Sequence, residues 1–272
     1  MPCPHCAATA TTKRPRRTAL GYRTFHCRAC RRIFHERTGT VCKHRHYPTD
    51  LVLLVVLWRR RDTLRLRDLA AMFLTRGFVF SHETVRDWEA RFAPLLAAQL
   101  RAQRRGRAGT TWHVDETYLR VDGRWCYRYR AIDRDGNLVE ARLREKRDMA
   151  AAQRFVAAAL AVAGRAPTHV TTDGHDAYPR AIREALGAAV GHRTSRYNNN
   201  RIGQDYRGMQ QRSYPMRGCG SFAVAARCCA GFAEHRQYFR PRTRRDERVT
   251  VAEQRLRFRA RWAALLTELA AV

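Results

Sequence analysis

Two acidic residues and four cysteines carry most of the chemistry this chain can perform. Asp115 lies inside the alternating run Trp112-His-Val-Asp-Glu-Thr-Tyr118, and Asp173 directly follows the short, mostly β-branched run Thr168 to Thr172. Lone acids of this kind usually belong to turns or surfaces. A pair brought side by side can instead hold Mg²⁺ (or Mn²⁺), activate water or a 3′-hydroxyl, and stabilise a pentacoordinate phosphate. Cys3-Pro-His-Cys6 and Cys27-Arg-Ala-Cys30 are two C-x2-C knuckles. Each knuckle turns two thiolates toward one ion, and together they complete a tetrahedral Zn²⁺ shell. Four protein ligands leave such an ion no open position, so this zinc holds structure and does not catalyse.

The elements that must position these groups can be read from periodicity. Strands are expected at Trp112 to Leu119, Arg124 to Ala131 and Leu138 to Leu143, separated by turns at Asp122-Gly123 and Asp135-Gly136. A helix capped by Asp148 then runs to about Ala163. A strand at Thr168 to Thr172 and a helix from about Asp176 to Leu186 follow. The order βββαβα predicts an α/β ribonuclease-H-like mixed sheet with flanking helices. In such a sheet the acid of the first strand and the acid just past the fourth strand sit together, which selects Asp115 and Asp173.

Upstream, Leu51 to Arg60, Leu64 to Leu74 and Ser81 to Phe92 have helical periodicity. In the third helix Val85, Trp88 and Phe92 face inward, and His82, Glu83, Arg86 and Asp87 face outward. An ordinary three-helix bundle would show the same pattern. The charge favours a helix-turn-helix, with His82 and Arg86 offered to a DNA groove. The expected organisation is a zinc ribbon at 1–47, a helix-turn-helix domain at 48–95, a basic linker at 96–110, a catalytic-type core at 111–240, and a basic linker with a C-terminal helix at 241–272.

Lys+Arg number 53 and Asp+Glu 24, a net charge of +29, and both halves of the chain contribute to the excess. A polyanion is the natural partner. The hydrophobic fraction of 45% excludes a disordered basic tail. The longest apolar run, Leu51 to Trp58, is far shorter than the roughly 20 residues a membrane span needs. The start Met-Pro-Cys-Pro-His-Cys is unlike a secretion signal. A cytoplasmic, nucleoid-associated protein is expected. Nine cysteines, an odd number, then favour metal binding by a subset over a disulfide framework.

Several blocks resemble the DDE transposases of bacterial and archaeal insertion sequences, closest to the insertion-sequence-six family. They are Trp112 to Tyr118, Gly123-Arg-Trp-Cys-Tyr127 through Tyr129 to Asp133, Glu145-Lys-Arg-Asp148, Thr172-Asp-Gly-His-Asp-Ala-Tyr178 and Asn199 to Arg212. The resemblance covers about Thr49 to Arg240. It implies recognition of short terminal inverted repeats in double-stranded DNA, Mg²⁺-dependent strand cleavage and transfer into target DNA, replicative transposition, and assembly as a homo-oligomer on DNA.

The third carboxylate departs from that family. Its segment reads roughly Asn-Asn-x-Ile-Glu-x-Asp-His, with a Lys seven residues after the Glu. Here it is Asn199-Asn-Arg-Ile-Gly203-Gln-Asp205-Tyr206, with Gln210 at the lysine place. Gly203 cannot bind a metal, and on a helix Asp205 lies about 200° around the axis from position 203. The expectation is a transposase with impaired cutting. The alternative is a transposase-derived protein that binds DNA without catalysis. A carboxylate from elsewhere, such as Glu116, is a further route to a complete site.

Overall fold

A computed structural model describes residues 1–43, 46–62, 64–195, 202, 220–240 and 249–271. The chain divides into two units, one formed by 1–55 with 241–272 and the other by 56–240.

In the first unit β1 (Thr11–Arg17), β2 (Arg23–Cys27) and β3 (Ile33–His35) form an antiparallel meander. Its small core is Cys3, Cys27 and Phe34, with Phe25 stacked on Phe34 at 5.4 Å. So few apolar residues cannot hold a module of this size alone, which is the usual reason for a structural metal. Arg37 is buried behind the meander. It donates to the carbonyls of Tyr47 and Cys42, and its guanidinium lies 5.0 Å over the Tyr22 ring. The Tyr22 hydroxyl accepts from the Thr49 N–H at 3.0 Å, where α1 (Thr49–Arg61) begins. The C-terminal helix α7 (Val251–Ala271) buries Leu265 and leaves Leu256 exposed.

In the second unit α2 (Leu66–Leu74) and α3 (His82–Arg104) pack through Leu69, Phe73, Val85 and Trp88. Trp58, Phe73, Phe80 and Trp88 form a chain of ring contacts of 4.9–5.6 Å between them. Ser81 caps α3 by accepting from the Thr84 N–H. The third helix, expected over Ser81 to Phe92, and the helical linker expected from Ala93-Pro94 onward form one continuous helix to Arg104. Ala93, Leu96 and Leu100 extend the buried stripe past the proline, and this packing outweighs the proline's missing N–H.

The sheet follows. Its strands are β4 (Thr111–Val121), β5 (Arg124–Asp133), β6 (Leu138–Arg144), β7 (His169–Thr172) and β8 (Gly191–Thr194). The order is β6-β5-β4-β7-β8, with the first three antiparallel and β7 and β8 parallel to β4. This is the ribonuclease-H-like arrangement expected from the sequence. Asp122 and Gly123, both at positive φ, make the two-residue turn between β4 and β5. Helices α4 (Met149–Ala163) and α5 (Ala177–Leu186) cover one face, burying Trp112, Val114, Tyr129, Phe155 and Tyr178. Helix α6 (Phe222–Phe239) covers the other, on Val121, Cys126 and Leu143, with Cys228 and Cys229 both buried. Arg104, at the end of α3, reaches Glu234 of α6 through two hydrogen bonds of 2.6 and 2.7 Å and donates to the carbonyl of Val139. One buried cation thus joins α3, α6 and the sheet.

Candidate active site

Side chains alternate along β4, so Asp115 faces the α6 side and Glu116 the α4–α5 side. Strand β7 pairs with β4 only from Thr111 to His113 and ends at Thr172. From Asp115 onward that edge of β4 is unpaired with β7, and the chain leaving β7 delivers Asp173 beside it. The carboxyl ends of parallel strands are where open α/β sheets place their sites. Gly174 makes the delivery possible. Its φ is +96°, and a Cβ there would stand 2.7 Å from the Thr194 side chain. The Asp173 carboxylate accepts from the His175 N–H at 3.2 Å, which orients it at the mouth of the turn.

One carboxylate oxygen each from Asp115, Glu116 and Asp173 lie within 4.8 Å of one another. Their charges are only partly compensated. Burial, then the charges of Glu116 and Asp173, pushes the Asp115 carboxyl from 3.8 up to about 7. Arg147 is the compensating cation. Its Nε donates to Glu116 at 2.6 Å, and its guanidinium lies 3.8 Å from Asp173. The Tyr178 hydroxyl donates to the other Glu116 oxygen. Glu116 is thus held on both oxygens and almost fully buried, whereas Asp173 is open to solvent. Burial, then Glu116, raises the Tyr129 hydroxyl to about 12, so the tyrosine facing this cluster stays neutral. A set of close, oxygen-only donors with excess negative charge fits a hard divalent cation.

The structure brings Asp115 and Asp173 together, as their positions in the strand order require. Arg147 and Tyr178 were not singled out by sequence reasoning. Each lies within a quoted block, Glu145 to Asp148 and Thr172 to Tyr178, and membership of those blocks was the one signal that could have found them. In the first block Asp148 accepts from the Ala151 N–H and caps α4, which fixes where Arg147 leaves the sheet. Gly203, Asp205 and Gln210 lie outside the described residues. Ile202 is buried against Ile132 of β5.

The Sγ atoms of Cys3, Cys6, Cys27 and Cys30 also lie within 4.8 Å of one another, with Cys3–Cys30 and Cys6–Cys27 each at 3.6 Å. A tetrahedral zinc with bonds of about 2.3 Å requires sulfurs about 3.8 Å apart, and none of the four is in a disulfide. The Cys30 N–H chiefly lowers the Cys27 thiol, whereas burial and the neighbouring thiols raise that of Cys6. On α3, His82 contacts Glu83 at 3.1 Å, and Arg86, largely exposed, pairs with the same Glu83. Both candidate DNA-reading side chains therefore share one acidic neighbour.

Residues 109–241 match the DDE domain family. The transposase for insertion sequence-like element IS431mec of Staphylococcus aureus is 32% identical over 174 residues, covering 62% of this chain and 77% of the relative. The transposase for insertion sequence element IS257 in transposon Tn4003, also from Staphylococcus aureus, matches with the same identity and coverage. Among solved structures, the simian T-cell lymphotropic virus intasome in complex with a PP2A regulatory subunit is 17% identical with a TM-score of 0.36. That match covers 54% of this chain and 53% of the other. The HTLV-2 integrase catalytic core domain with magnesium is 13% identical with a TM-score of 0.29, covering 47% and 99%.

Proposed function

The chain belongs to the DDE transposases of insertion sequences, and from that premise we propose that it binds the terminal inverted repeats of its element in double-stranded DNA and carries a core built for metal-dependent strand cleavage and transfer. The observation that carries this reading is the meeting of Asp115, Glu116 and Asp173 where β4 and β7 end.

Asp115 and Asp173 would hold Mg²⁺ or Mn²⁺. When bound, the cation supplies charge stabilisation at a phosphoryl group and activates an attacking hydroxyl. Asp115, held near 7 by burial and its acidic neighbours, would have to give up its proton to serve as a ligand. Arg147 and Tyr178 hold Glu116 off the open side of the site, and Asp173, oriented by the His175 N–H, stays open to solvent. The cysteine cluster holds Zn²⁺ in a ribbon spanning 1–47. Residues 48–95 are the targeting module, in which His82 and Arg86 read bases. Residues 96–110 join it to the core at 111–240, and 241–272 form the tail. The protein works as a homo-oligomer on DNA in the cytoplasm, at the nucleoid. Among the described residues no helix is long and apolar enough to cross a membrane.

Gly203 and Gln210 stand where the family has Glu and Lys, so strand transfer by this chain is impaired. The same substitution favours a second reading, a transposase-derived protein that occupies repeats without cutting them. Mn²⁺ titration followed by electron paramagnetic resonance tests the site itself. The unaltered chain should bind Mn²⁺ at the core, and Asp115→Asn with Asp173→Asn should abolish that binding. Undiminished binding in the double variant would reject the assignment.

A further inference from the structure

Beyond the carboxylates, the β4–β5 hairpin carries a surface that nothing in the proposed reaction uses. Same-face neighbours recur every second residue, about 7 Å apart along a strand. From Glu116 that face continues through Tyr118 to Arg120. Across the ladder, Tyr118 pairs with Tyr127 and Arg120 with Trp125. Tyr118 and Trp125 are 63% and 56% exposed, and they are the only aromatic residues among the exposed large apolar side chains of the described chain. Their rings meet edge to face at 5.1 Å. The Arg120 guanidinium lies 5.9 Å over the Trp125 ring, and its Nε donates to the Gly123 carbonyl, so the hairpin turn anchors the arrangement.

The same face is cationic. Tyr127 pairs across to Arg144 and Tyr129 to Arg142. Burial, then the charges of Arg154 and Arg142, holds the Arg144 guanidinium below its ordinary value. Such a surface calls for an anion that also offers a flat apolar face.

We propose that Tyr118 and Trp125 form a stacking platform for unpaired bases of DNA next to the cleavage site, with Arg120 and Arg144 meeting the backbone of the same strand. A second copy of the chain would bring arginines against arginines across this surface, whereas a nucleic acid strand satisfies both its charge and its rings. Paired bases inside a duplex have their π-faces covered by neighbours, so the platform suits bases that are frayed, flipped or single-stranded. Its place two residues beyond Glu116 sets it about one nucleotide from the carboxylate cluster.

This proposal rests on the reading that the chain acts on DNA, and the test separates the two. The full-length protein is titrated with a random-sequence duplex, blunt or carrying a short unpaired tail that contains a fluorescent adenine analogue. The tail should strengthen binding about tenfold, as stacking on exposed aromatics does, and should change the analogue's fluorescence. Trp125→Leu and Tyr118→Leu should remove that advantage, and Trp125→Phe should retain most of it. Equal affinity of the unaltered chain for both probes would overturn the platform and leave the DNA reading in place. Failure to bind either probe would overturn the DNA reading itself. If Trp125→Leu reduced the sedimenting species to a smaller one and left the tail advantage untouched, the surface would be a contact between copies and the platform would be wrong.

Discussion

Asp115 should make this protein less stable as pH rises, and Asp115→Asn should cancel the effect. Folding moves the carboxyl from 3.8 to about 7, so between those values the folded chain keeps a proton that the unfolded chain has lost. The stability due to this group is complete below about pH 4 and is lost as pH rises through 7. Three units correspond to about 4 kcal/mol at pH 8, of which about 2–3 kcal/mol is lost between pH 5 and pH 8. Asparagine keeps the shape and removes the ionisation. In EDTA, the variant's advantage over the unaltered chain should therefore grow by about 2–3 kcal/mol from pH 5 to pH 8. For a unit of this size that is roughly 5–10 °C in melting temperature. Urea unfolding at the two pH values measures it directly. Millimolar Mg²⁺ should restore stability to the unaltered chain at pH 8 and do little for the variant. An advantage that is the same at both pH values would refute the argument that burial and like charge crowd this site.

Other outcomes follow from the same structure. Glu234→Leu leaves the Arg104 guanidinium buried without its carboxylate and should destabilise the core by about 3–5 kcal/mol. Adding Arg104→Leu should recover part of that loss in a double-mutant cycle, and no recovery would mean that the pair is not coupled. Cys27→Ala should abolish stoichiometric zinc in metal analysis and lower the melting temperature of the ribbon; retention of one zinc per chain would reject the four-cysteine site. Arg86→Ala should narrow the gap in affinity between repeat and random duplex by about 1–3 kcal/mol. An equal weakening of both would make Arg86 a phosphate contact.

The core was largely legible because its signals are local. Asp122-Gly123 accepts the positive φ that a tight hairpin demands, and Asp148 and Ser81 cap the helices they precede. Asp115 and Asp173 were found because strand order alone brings them together. Other features depend on distant partners. Ser81 to Phe92 and the stretch from Ala93-Pro94 read as a helix and a helical linker, yet they form one helix because Leu96 and Leu100 are buried, and that packing is invisible in a local window. Arg147 and Tyr178 are ordinary residues until the fold turns both onto Glu116. The platform of Tyr118 and Trp125 was quoted as part of a motif, but only their exposure shows that they serve no core.

The central claim is that this is a transposase core whose metal ligands are in place and whose third carboxylate is missing. The direct measurement is divalent-cation-dependent nicking of repeat-end DNA by three proteins: the unaltered chain, Gly203→Glu with Gln210→Lys, and that variant carrying Asp115→Asn. The first should nick little, the second should nick in a Mg²⁺- or Mn²⁺-dependent way, and the third should not nick. Vigorous nicking by the unaltered chain that depends on Asp115 and Asp173 would show that another residue completes the site, and would contradict the claim that cutting is impaired.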